Sequence, residues 1–163
     1  LTHLGNYRAF HEDLRRELAR AEREREPLTL VFLDLNRFKQ LNDTYGHQAG
    51  DAALSEVAAC LNRACRVSDL AFRLGGDEFC IILPSTDLAE GRAFLDRLAA
   101  CWMRRDAGGI PLTVSIGLAQ AAAGEAVDPE VLIRAADKSM YRAKARARAA
   151  GGHGVDPGEV VGG

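Results

Sequence analysis

A chain of 163 residues, 47% apolar and 27% charged with a formal net charge of −2, has material for one domain with a sizeable core. That balance excludes a basic field for holding nucleic acid and a polybasic membrane anchor, and no apolar run approaches the roughly 18 residues of a membrane span. The opening residues carry no signal-peptide pattern, and Cys60, Cys65, Cys80 and Cys101 lie in apolar-periodic segments without CxxC spacing. Buried, reduced thiols and a cytoplasmic location are therefore expected.

In chain order, Leu1 to Gly5 reads as the end of a connection from a preceding sensory or regulatory domain. Asn6 can cap a helix whose stripe includes Phe10, Leu14 and Leu18, with alternating acids and arginines outside and Pro27 as its stop. Leu28 to Leu33 reads as a buried strand delivering Asp34 at its end. A short helical stretch over 37–41 leads to a turn-rich segment, Asn42 to His47, and a helix from about Ala49 to Arg66. Leu70 to Leu74 and Phe79 to Leu83 flank Gly75, Gly76, Asp77 and Glu78, the pattern of a β-hairpin whose tip carries two carboxylates. A helix from about Leu88 to Met103 follows, then a break at Gly108-Gly109. Pro111 introduces a strand with apolar residues at 112, 114, 116 and 118. Asp128 and Pro129 open a last helix bearing Leu132, Ala136 and Met140. The domain is expected over residues 1–150, with a flexible Gly-rich tail over 151–163. Strands alternating with helices around a hairpin predict an α+β sandwich, its central sheet mixed, largely antiparallel and about five-stranded.

Asp34, Asp77 and Glu78 could converge from adjacent strands. Such carboxylates repel unless a cation neutralises them, and hard oxygen donors suit Mg²⁺. Against this, Asp34 could simply cap the following helix, and Gly and Asp are ordinary turn residues. Lys144 and Arg148 share one face of the last helix, fit to meet polyphosphate or simply to be solvated in an Arg-rich segment.

Three blocks then carry a resemblance. Asp34 to Asp51 (DLNRFKQLNDTYGHQAGD) is similar to a D-x-D-x-F-K-x-x-N-D-x-x-G-H-x-x-G-D pattern. Arg73 to Phe79 contains Gly-Gly-Asp-Glu-Phe, and Ala136 to Lys144 (ADKSMYRAK) resembles A-D-x-x-M-Y-x-A-K. In this order and spacing they resemble the diguanylate cyclase (GGDEF) family. That resemblance implies a nucleotidyl-cyclase or palm-like fold and condensation of two GTP into cyclic di-GMP and pyrophosphate across a homodimer, with two Mg²⁺ or Mn²⁺ per site. It implies that Asp34, the Leu35 carbonyl, Asp77 and Glu78 hold metal. Asp77 or Glu78 would also help deprotonate the attacking 3′-hydroxyl.

By the same resemblance, Asn42 and Asp51 would read guanine, and Gly75 and Gly76 would let the hairpin approach the nucleotide. Phe38 (through its backbone), Lys39, Lys144 and Arg148 would meet phosphates. Arg66 and Asp69 match an RxxD product-inhibition site five residues ahead of Gly75, with Arg97 as a further contact. Asn36 stands at the second Asp of the first block, and Ala147 and Ala149 replace the usual Gly and Asn around Arg148. A non-catalytic domain binding cyclic di-GMP or GTP is the alternative. Another nucleotide cyclase or palm-type polymerase is a third, opposed by the guanine-reading pair and the inhibitory motif.

Overall fold

A computed structural model describes residues 1–102 and 112–163. The helix end at Met103, the Gly108-Gly109 break and Pro111 lie outside the described residues.

Asn6 caps α1 (Tyr7–Glu24) by accepting from the Ala9 N–H, and Arg25 ends the helix in the left-handed conformation, two residues ahead of Pro27. β1 (Leu28–Leu35) is buried along its whole length. It leads into α2 (Phe38–Tyr45), which runs through most of the segment expected to be turn, and α3 (His47–Ala64) follows directly from Gly46. β2 (Leu70–Gly75) and β3 (Glu78–Pro84) form the hairpin, α4 covers Leu88–Trp102, β4 covers Val114–Ala121 and α5 covers Pro129–Ala150. Two short strands, β5 (Gly154–Val155) and β6 (Glu159–Val161), complete the chain.

The sheet runs β2-β3-β1-β4-β5, with β6 also on β4. The pairs among β2, β3, β1 and β4 are antiparallel, whereas β5 and β6 lie parallel to β4. The expected mixed, largely antiparallel α+β sheet is present, with six strands.

Strand alternation sorts the core into two layers. Leu28, Leu30 and Phe32 of β1 pack with Phe10 and Leu14 of α1 and Ala136 and Met140 of α5. Val31, Leu33 and Leu35 pack on the opposite side with Leu54 and Val57 of α3 and Phe94 and Leu98 of α4. Asp34 continues the even-numbered stripe, so the alternation that builds the core also delivers its carboxylate to the α5 side. α5 can lie close on the sheet because Gly117 faces it without a side chain; a Cβ there would come 2.6 Å from Met140 Cα.

Both chain ends are tied to the sheet. Gly5 bridges Phe72 and exchanges hydrogen bonds with the β2 edge, donating to Ala71 O (3.2 Å) and accepting from Arg73 N (2.9 Å). Residues 151–163, expected as a flexible tail, add β5 and β6 to the sheet. The physical reason is Asp156, 2% exposed. It receives Ser139 Oγ (2.7 Å), Arg142 Nε and Nη2 (3.0 Å each) and the Gly158 N–H (3.1 Å), so the tail is clamped onto α5. Burial alone would raise the Asp156 pKa; the Arg142, Ser139 and Gly158 hydrogen bonds and the Arg142 charge instead bring it down to about 2.

Candidate nucleotide site

The end of β1, the residue before β4, α2 along its length, the hairpin tip and the C-terminal part of α5 with the two glycines after it border a cleft of about 750 Å³. Among its lining residues are Asp34, Leu35, Phe38, Lys39, Asp77, Lys144 and Arg148. The fold thus brings seven sequence-predicted residues to one concavity. Asn42, Asp51, Gly75, Gly76 and Glu78 do not line it. Asn42 on α2 follows the lining residue Leu41, Gly76 and Glu78 adjoin the lining residue Asp77 on the hairpin, and Asp51 lies on α3.

Asp34 is 7% exposed and directly opposite Glu78 in the β1–β3 register, so the two carboxylates share one face of the sheet. The Leu35 N–H donates to the Asp77 carbonyl (3.2 Å), which joins the hairpin tip to the end of β1. Burial raises the Asp34 pKa; Lys144, hydrogen-bonded to it, opposes that, and the charges of Asp77 and Glu78 raise it further. Lys144 Nζ stands 3.1 Å from Asp34 Oδ2. The lysine expected on phosphate is, in this structure, the counter-charge of the carboxylate.

Among the described residues, no three His, Cys, Asp or Glu side chains gather into a metal-holding cluster. The donor set nevertheless fits a hard divalent cation that takes one or two carboxylates and leaves its other positions to substrate oxygens. A half-buried cation, the Lys144 ammonium, already lies against Asp34, and two further carboxylates lie within electrostatic reach.

The hairpin tip is held by a residue whose role the sequence did not disclose. Gly76 takes positive φ (+50°), which completes a two-residue turn, and the Gly76 carbonyl accepts from Arg73 Nε (3.0 Å) and Nη2 (2.8 Å). A register shift between Arg73 and Gly75 marks a bulge. Nothing lies within 4 Å of where a Cβ at Gly75 would be, so the tip has open space beside it.

Asn36 is also a structural surprise. Its N–H donates to Thr113 O (2.8 Å), its Nδ2 to Thr113 Oγ1 (3.2 Å), and Ser115 Oγ donates to its Oδ1 (2.7 Å). It thereby pins the backbone just after the Leu35 carbonyl to β4. No sequence signal connected residues 36, 113 and 115, because the link runs between strands.

On the α3–α4 side of the sheet, Arg66, Asp69 and Arg97 come together. Asp69 Oδ2 accepts from the Arg66 N–H (2.7 Å), and Arg97 Nη2 lies 3.5 Å from Ala64 O. Burial raises the Asp69 pKa, opposed by the Arg66 hydrogen bond and by the charges of Arg66 and Arg97.

The fold and this constellation define an α+β domain with an acidic hairpin beside a cleft lined by Lys39, Lys144 and Arg148. The sequence model of the diguanylate cyclase, GGDEF domain matches residues 1–150, and the chain belongs to that family. It is 39% identical over 152 residues to diguanylate cyclase DgcP of Pseudomonas aeruginosa, covering 91% of this chain and 22% of that protein. It is 38% identical to diguanylate cyclase DgcS of Shewanella oneidensis, covering 91% of this chain and 49% of that protein. The chain therefore spans at most half the length of these two relatives. The structure of an N-terminally truncated YfiN (TpbB) from Pseudomonas aeruginosa, comprising only its GGDEF domain, superposes with a TM-score of 0.82 at 35% identity, covering 98% of this chain and 90% of that one. The GGDEF domain of DgcB from Caulobacter crescentus, crystallised in complex with c-di-GMP, gives 0.80 at 29% identity, covering 94% and 90%.

Proposed function

We propose that this chain is a diguanylate cyclase domain that joins two GTP into cyclic di-GMP, with one GTP on each of two facing copies. The observation that carries this reading is the meeting of Asp34, Asp77 and Lys144 in the lining of one cleft, with Glu78 opposite Asp34 in the strand register. In each half-reaction a 3′-oxygen forms a bond to the α-phosphorus of the opposite GTP, the bond to pyrophosphate breaks, and the hydroxyl proton leaves to a base. Two such steps close the ring and release two pyrophosphates.

Asp34, the Leu35 carbonyl and Asp77 would hold Mg²⁺ or Mn²⁺, with Glu78 beside them. When bound, the metal neutralises charge on the transferring phosphoryl group and favours the ionised hydroxyl. Lys39, Arg148 and the Phe38 N–H would hold the β- and γ-phosphates, which Lys144 joins when it leaves Asp34. Asp77 or Glu78, on the exposed tip, would take the 3′-hydroxyl proton. Asn42 and Asp51 would read the guanine edge, since a carboxylate accepts from N–H groups that adenine does not present in that pattern.

Arg66, Asp69 and Arg97 would bind the product on the opposite side of the sheet and limit output. The four cysteines, none in a disulfide, suit a reducing, cytoplasmic setting, and no described helix is long and apolar enough to cross a membrane. Catalysis would require a preceding region, or high concentration, to bring two copies together.

Incubation with GTP and Mg²⁺ after fusion to a dimeric coiled coil tests the reading, with products separated by chromatography. Cyclic di-GMP from the parent and none from a folded Asp77→Ala variant is the expected result. Nucleotide binding without turnover in the fused dimer would make it a receptor domain instead.

A further inference from the structure

Gly50 lies inside α3 and is buried, with no positive φ to demand glycine. Alanine is the more favourable residue in an ordinary helix. The local preference and the residue present therefore disagree, and the structure shows what opposes alanine. A Cβ on Gly50 would run into Asn42 Oδ1 and come 2.9 Å from Asn42 Cγ and 3.2 Å from Nδ2. The Asn42 carboxamide rests against the bare Cα of Gly50, and Asp51 is the next residue along the helix. Asn42 Oδ1 is buried, without a hydrogen-bond partner among the described residues. A buried, unpartnered acceptor is costly, and a nucleobase N–H would satisfy it.

We infer that Gly50 is a specificity-determining position, whose missing side chain seats the Asn42 carboxamide where it can meet a guanine. This rests on the reading of Asn42 as a guanine contact. Gly50 touches no ligand itself; it acts through Asn42. A methyl group at 50 would drive the carboxamide out of its seat while leaving the helix backbone undisturbed.

A double-mutant cycle of Gly50→Ala and Asn42→Ala tests this, with two readouts on each protein: thermal midpoint, and titration calorimetry of GTP and ATP with Mg²⁺ in the Asp77→Ala background, which prevents turnover. Gly50→Ala should weaken GTP binding roughly tenfold or more, as Asn42→Ala does, and erode the preference for GTP over ATP. The double variant should bind no more weakly than either single one, because both remove the same contact. Alanine at 50 should leave the thermal midpoint at or above the parent's in both backgrounds, because the carboxamide it displaces is a side chain that can turn aside. A loss of binding without a loss of stability marks a positioning role.

Parent-like GTP binding by Gly50→Ala, alongside weakened Asn42→Ala, would overturn the inference and leave the guanine reading standing. Parent-like binding by Asn42→Ala would refute the guanine role of Asn42 itself. Additive losses would overturn the inference, since they would mean that the two residues act separately.

Discussion

Replacing Asp156 by asparagine perturbs the tail clamp with little change of volume. It removes the charge that faces Arg142 at 3.0 Å and Arg146 at 3.4 Å, and it turns one acceptor into a donor beside two guanidinium groups. The carboxyl pKa falls from 3.8 to about 2 on folding. At about 1.36 kcal/mol per pH unit, that difference corresponds to stabilisation on the order of 2 kcal/mol. For a domain of this size such a loss lowers the thermal midpoint by about 4–8 °C. Because the folded pKa is depressed, the contribution is fully present above the unfolded value and is lost as pH falls through it toward about 2. The gap in midpoint between parent and Asp156→Asn should therefore hold from about pH 7 to about pH 5 and narrow below about pH 4. Calorimetric scans across that range measure it. Hydrogen exchange at Ala122 N, which donates to Val161 O (2.8 Å), reports release of the last strand. Equal midpoints at neutral pH, or a gap that does not narrow with acid, would refute the clamp.

Three further outcomes are expected. Arg66→Ala should relieve product inhibition in a progress curve without lowering the initial rate, and an unchanged curve would remove the product-site assignment. Gly117→Ala should destabilise the domain by about 1–3 kcal/mol in denaturant titration, because its methyl group would meet the Met140 backbone rather than a side chain that can turn aside. A parent-like titration would mean that α5 does not need the close approach. Cys65, half-buried, has its pKa pushed up to about 12, chiefly by burial, with Asp69 adding to the rise and Arg97 opposing it. Its alkylation near pH 8, followed by peptide mass spectrometry, should be at least tenfold slower than that of a free thiol; alkylation at the free-thiol rate would contradict this environment.

What could be read in the sequence follows from what each signal encodes. Period-2 and period-3.6 patterns placed β1, the hairpin and α5, because burial of one face is a local constraint. The cleft residues came from motif spacing, and the fold brings Asp34, Phe38, Lys39, Asp77, Lys144 and Arg148 together. Contacts that join distant segments were not legible. Arg73 on the Gly76 carbonyl, Asn36 between Thr113 and Ser115, and the Lys144–Asp34 pair are all settled by strand register and helix placement. The tail was misread for a related reason. Its glycines signal flexibility in any local window, while the charge that orders it, Asp156, finds Arg142 and Arg146 on another element. Gly50 shows the converse: a helix position that local propensity would give to alanine is held open for a side chain on the neighbouring helix.

The central claim is that two copies of this chain each contribute one GTP and one set of carboxylates. Its most direct test is the rate of GTP conversion per chain over a wide range of protein concentration, with pyrophosphate and nucleotide product both quantified. The account predicts a rate per chain that rises with concentration, and two pyrophosphates released for each cyclic di-GMP formed. A constant rate per chain from a proven monomer, or a cyclic mononucleotide as product, would contradict it.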